Sequence, residues 1–193
     1  MRKAGPGVAP TKAASRGFTL IELMVTLAVM AIVLGLAVPG FQSVVNGNRL
    51  SAAANELVAS LQTARMEAIR RSRRVVVCSS ANANAGTDAT CATANVDGWI
   101  TFMDANSDGD FDKVGDTLLR NSTFDGNVLV GGDDKVMYRA DGLARDGSGA
   151  LMTSGNVRMR IDTSQPAKNV RCIDISTGGV MVRAPDAHDA NCS

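Results

Sequence analysis

A chain of 193 residues, 45% apolar and with a formal charge of +1, has room for one soluble domain beside any leader or membrane segment. A single histidine excludes histidine-rich metal or catalytic centres, and one tryptophan, one tyrosine and five phenylalanines leave few platforms for stacking nucleic-acid bases. Four basic residues (Arg2, Lys3, Lys12 and Arg16) precede residue 18 without an acid among them. The remainder carries 16 basic against 19 acidic side chains, a charge of −3 with no global attraction for a polyanion.

The twenty-one residues from Phe18 to Val38 contain one charged side chain, Glu22. As a helix this run is about 32 Å long, close to the roughly 30 Å of hydrocarbon in a bilayer. Its basic flank predicts insertion with the N-terminus in the cytoplasm and everything after the span outside. A carboxylate within such a run is costly and needs a partner. Cutting the chain between Gly17 and Phe18 creates an amine four residues from Glu22, which can neutralise its own or a neighbour's amine. Two plainer readings compete. One is a secretory signal with Gly35-Leu36-Ala37 as its cleavage site, and the other is an uncleaved anchor; neither gives Glu22 a purpose.

Gly17-Phe18-Thr19-Leu20-Ile21-Glu22 resembles the type III signal of type IV pilins and type II secretion pseudopilins, and Pro39 falls where that family's helix usually carries a proline. The resemblance implies cleavage after Gly17 and N-methylation of Phe18 by a prepilin peptidase. It also implies that Glu22 pairs with the Phe18 amine of an adjacent subunit during assembly.

Beyond the span, Leu50, Ala54, Leu57, Leu61, Ala64 and Ala68 recur at three- and four-residue spacing and predict an amphipathic helix. Gly35 and Pro39 predict a kink or loosening, and Asn46-Gly47-Asn48 a second weak point. The helix is expected to end near Arg73, where Val75-Val76-Val77 turns to β-structure. Eight short strands follow, at 74–79, 99–103, 117–120, 128–130, 136–139, 157–161, 170–175 and 180–183, bounded by Gly, Asp and Asn clusters. Residues 79–95 lack periodicity and read as a loop tethered by cysteines. The chain thus divides into a cleaved leader (1–17), a membrane or filament-core helix (18–39), an amphipathic helix (40–74) and a β-rich globular part (75–193). The fold class is α+β, a long N-terminal helix whose second half packs on an antiparallel sheet. Asp97-Gly98-Trp99-Ile100-Thr101-Phe102-Met103-Asp104 and Asp116-Thr117-Leu118-Leu119-Arg120 resemble the middle region of the GspH/FimT branch of pseudopilins and minor pilins.

Cys78, Cys91, Cys172 and Cys192 predict two disulfides in an exported domain, with three possible connectivities. The local pairing Cys78–Cys91 and Cys172–Cys192 is expected, because each link closes a short segment and the second pins the tail. Asp104, Asn106, Asp108, Asp110 and Asp112 alternate as in a calcium loop, with Gly109 at the sixth place. Gly115 stands at the twelfth place, where such a loop has a bidentate glutamate, and a plain Asp/Gly turn is the competing reading. Arg65, Arg70, Arg71, Arg73 and Arg74 form the densest basic run, suited to a helix C-terminus or to phosphates. Arg158, Arg160, Arg171 and Arg183 form a second candidate patch for nucleic acid. Some relatives resemble DNA-uptake pilins with a Gly-Arg-x-Arg element, where this chain reads Gly179-Val180-Met181-Val182-Arg183. No catalytic pair is predicted, since His188 stands alone in a polar tail. The resemblance implies a minor pilin at or near a filament tip, anchored in the inner membrane by one span with its C-terminal part in the periplasm. Its partners are other pilins, met through the N-terminal helix, and the prepilin peptidase. The alternatives are an H-type pseudopilin of a type II secretion system and, in another class, a DNA-binding pilin for transformation.

Overall fold

The computed structural model describes residues 17–124, 127–163, 166–185 and 191–192; the basic leader residues and His188 lie outside them. One helix, α1 (Leu20–Arg71), is followed by β1 (Val75–Ser80), β2 (Gly98–Met103), β3 (Thr117–Thr123), β4 (Val128–Gly132), β5 (Lys135–Tyr138), β6 (Ala144–Arg145), β7 (Gly155–Ile161), β8 (Val170–Ser176) and β9 (Gly179–Arg183). Residues up to Val38 form one compact unit and residues from Pro39 onward another. Helix assignment is unbroken through Gly35, Pro39 and Asn46-Gly47-Asn48, the places where the sequence suggests loosening.

In the second unit, all strand pairs are antiparallel. They form a five-stranded sheet in the order β3-β2-β1-β5-β6 and a four-stranded sheet in the order β4-β7-β8-β9. The stripe Leu50, Ala54, Leu57, Leu61, Ala64 and Ala68 is the helix face that fills the core, none of its members more than 1% exposed. It packs against Val75, Val77, Trp99 and Tyr138 of the first sheet and Val157, Met159, Ile161 and Ile173 of the second. Three leucines and three alanines make up this face, and each leucine contributes about 1.5–3 kcal/mol of burial.

The run Val75-Val76-Val77 does not alternate because β1 lies at the centre of its sheet and is buried on both faces. Val75 and Val77 face the helix. Val76 joins Ile100, Phe102 and Met137 in a second, smaller core on the opposite face. What covers that face comes from the stretch 81–97, most of it within the 79–95 that the sequence marks only as a loop. It includes a short 3-10 segment, Ala83–Asp88, and inserts Ala83 and Ala89. Cys78 is bonded to Cys91, which anchors the cover to β1, while Cys172 is bonded to Cys192 and ties the tail to β8.

The helix ends without a glycine. Ser72 takes φ 51°, the left-handed conformation glycine usually supplies. The Ser72 N–H donates to Ile69 O (3.4 Å) and the Arg73 N–H to Ala68 O (3.3 Å), a Schellman stop two residues before the expected end.

Tyr138, the single tyrosine, is 3% exposed, and burial pushes its phenol up to about 12, against a small opposing pull from Arg65. The folded state therefore holds the neutral phenol while the unfolded chain ionises near 10. Stability is complete below pH 10 and falls as pH rises through 12. Spectrophotometric titration of tyrosinate should show a midpoint near 12, and Tyr138→Phe should remove that alkaline step. A midpoint at 10 in the folded protein would contradict the burial.

Candidate assembly and processing site

Gly17, Phe18 and Thr19 lie outside the helix, and α1 begins at Leu20. Thr19 is its N-cap: the carbonyl accepts the Leu23 N–H (3.2 Å) and Oγ1 accepts the Glu22 N–H (3.3 Å). Thr19-Leu20-Ile21-Glu22 has the Thr-x-x-Glu spacing of a capping box, a signal legible in the sequence beside the charge of Glu22. Glu22 sits at the third helical position, where a carboxylate suits the positive end of the helix dipole.

Past this cap the helix is apolar all round and uncovered. Phe18 is 81% exposed and Leu34, the least exposed of the large apolar residues described between Phe18 and Leu34, is still 52% exposed. No part of its most apolar eighteen-residue window, of mean hydropathy 2.5, is buried within the chain. By length and composition this helix can cross a membrane. An apolar surface of this extent needs lipid or other chains to cover it.

The acidic loop after β2 is built differently from a calcium cage. Asp104 is buried and its Oδ2 lies 3.0 Å from Arg74 Nε. Its two oxygens also accept the N–H groups of Ser107 (2.6 Å) and Gly109 (3.0 Å). Gly109 has φ 84°, and a Cβ there would stand 3.2 Å from an Arg74 nitrogen, so glycine serves this turn whether or not an ion is bound. Asn106 donates to Asp108 (2.7 Å) and Asp112 (3.0 Å), and Lys135 Nζ lies 2.8 Å from Asp110. The Asp110 N–H is the main cause holding the Asp108 carboxyl below its usual range. Among the described residues, no group of three or more His, Cys, Asp or Glu is placed to hold a metal ion. An arginine and a lysine already lie on these carboxylates, and several of the loop's oxygens are turned to its own backbone.

The basic run at the end of α1 is dispersed. Arg65 donates to Gly178 O (2.7 Å) and fastens the helix to the turn between β8 and β9. Arg70 and Arg71 share Glu67, whose carboxyl they hold below its usual range, Arg70 first. Arg74 enters the acidic loop, and Arg73 is exposed.

The four arginines of the second patch are split by strand register. Residues directly opposite across strands share a face. Arg171 lies opposite Met159, a core residue, so it is on the helix side, its Nη2 3.5 Å from Ser51 Oγ. Arg158 and Arg183 both lie opposite Cys172 and share the outer face with Arg160. There Arg183 forks onto Asp174, Arg158 donates to Asn191 (2.9 Å), and Arg160 reaches Asp162 (3.4 Å). A groove of about 710 Å³ opens beside them, lined in part by Asn156, Asp174, Met181 and Arg183.

Comparison with known proteins gives two family-model matches. The model described as type II transport protein GspH matches residues 53–179, and the prokaryotic N-terminal methylation motif matches residues 12–38. A pilin-like protein, PilA1 of Thermus thermophilus, is 33% identical over 99 residues, which is 50% of this chain and 53% of that protein. The chain therefore matches about half the length of that curated relative. Two crystal forms of the Pseudomonas aeruginosa type IV minor pilin FimU also match. One has TM-score 0.46 and 18% identity over 76% of this chain and 96% of that one; the other has 0.45 and 17% over 75% and 100%.

Proposed function

We infer that this chain, which belongs to the GspH family, is a minor pilin of a type IV pilus, held in the inner membrane by α1 until it is assembled into a filament. The observation that carries this reading is the exposed apolar first half of the helix that begins at Leu20, holding one carboxylate at its capped start. A prepilin peptidase cleaves after Gly17 and methylates the Phe18 amine. The helix then exchanges lipid for the helices of other pilins, and Glu22 meets a neighbour's amine. The subunit acts at or near the tip and starts or supports assembly, with its disulfide-linked globular part in the periplasm. It works as a structural component, without catalysis of its own.

The description of the matching family, a type II transport protein, supports a second reading, an H-type pseudopilin of a secretion system. The fraction in which the protein co-sediments, pili or secretion pseudopili, separates the two. DNA uptake has less support, because Arg171 faces the helix and Arg183 is committed to Asp174.

N-terminal analysis and intact mass of the protein from a filament fraction test this reading. The expected chain starts at N-methylated Phe18. A chain starting at Val38 or retaining Met1 would overturn it.

A further inference from the structure

We propose that Thr19 is a positioning residue for leader removal: by capping α1 it sets the helix start at Leu20 and keeps the Gly17–Phe18 bond outside the helix. The proposal rests on the processing reading above. A peptidase cleft takes its substrate as open chain, because a helical carbonyl points along the axis and is engaged with an N–H four residues on. The reaction is hydrolysis. Water adds across the Gly17–Phe18 amide, the C–N bond breaks, Gly17 keeps the new carboxylate and Phe18 the new amine. The bond lies two residues before the first helical residue, so a backward extension of one turn would enclose it.

Two features oppose that extension. Gly17 is a poor helix former. Thr19 accepts the Glu22 N–H on Oγ1 (3.3 Å) and the Leu23 N–H on its carbonyl (3.2 Å), the pair of bonds that defines a helix start. Thr19 needs no contact with the peptidase for this role. The same cap leaves the newborn Phe18 amine just ahead of the helix, with Glu22 in the first turn beyond it. One hydroxyl thereby serves cleavage and the later pairing.

The test is the rate of leader removal from the full precursor by a prepilin peptidase in detergent, followed by mass. Thr19→Val keeps the branched shape and loses the acceptor, and Thr19→Ala loses both. Thr19→Ser and Thr19→Asn keep a capping oxygen. Thr19→Val and Thr19→Ala should be cleaved about two- to fivefold more slowly, the population change a lost N-cap produces, with Ser and Asn within about twofold of wild type. Slower amide exchange at Glu22 should accompany the slow variants, because its N–H passes from the Thr19 hydroxyl to the Phe18 carbonyl of the extended helix. Wild-type rates for Val and Ala would overturn the proposal. Slow cleavage of Ser and Asn would also overturn it, since the peptidase would then be reading threonine itself. A wild-type precursor left uncut after Gly17 would overturn the processing reading, an outcome distinct from these.

Discussion

Glu22→Leu is expected to insert into the membrane as well as the wild type and to be missing from sheared filaments. Insertion loses nothing, because a carboxylate in a membrane helix costs a few kcal/mol and leucine favours the bilayer. If Glu22 meets a neighbour's amine as proposed, assembly loses the anion that the Phe18 amine needs once lipid is replaced by packed helices. A buried charge stripped of its partner costs about 3–5 kcal/mol, on the order of a hundredfold or more in incorporation. Glu22→Gln, which keeps the side-chain shape, should fail in the same way and so separate charge from packing. Immunoblots of membrane and sheared fractions provide the measurement. Equal recovery of mutant and wild type in filaments would refute the pairing.

The second large effect belongs to the junction of helix and acidic loop. Asp104 has no exposed side-chain surface and Arg74 keeps 15% of its own. Asp104→Ala strands the guanidinium and removes the acceptor for the Ser107 and Gly109 N–H groups. The expected loss is about 3 kcal/mol, at the low end for a broken buried pair because Arg74 retains some solvent. Arg74→Met should cost about as much by leaving the carboxylate alone. The double variant Arg74→Met with Asp104→Leu should lose less than the two single losses combined, since neither charge is then orphaned. Denaturant unfolding of the unit beginning at Pro39 measures all three, and strict additivity would show that the two side chains act independently.

Much of this molecule is legible from residue order. The apolar run with its lone Glu22 announces the exposed helix, and the three- and four-residue spacing of Leu50 to Ala68 picks out the face that becomes the core. Eight strands begin within two residues of their expected starts, because turn-forming Gly, Asp and Asn clusters bound them. Among the described residues, the two-residue β6 is the strand without a sequence signal, being too short to form a pattern.

Interactions local in the chain are written in it: helix period, strand alternation and the Thr19–Glu22 cap depend on neighbours a few residues away. Pairings between distant residues are decided by register and sheet order, which no short window carries. Strand order puts β1 between β2 and β5, so Val76 needs a cover and the stretch 81–97 becomes one. Register turns Arg171 inward while Arg158 and Arg183 stay outside, dividing a patch that sequence spacing suggests is one. Arg74 meets Asp104 because antiparallel pairing of Val75 with Met103 brings the helix end beside the loop. A carboxylate that reads as a calcium ligand in sequence thus receives a guanidinium, because the fold delivers that cation to it across thirty residues.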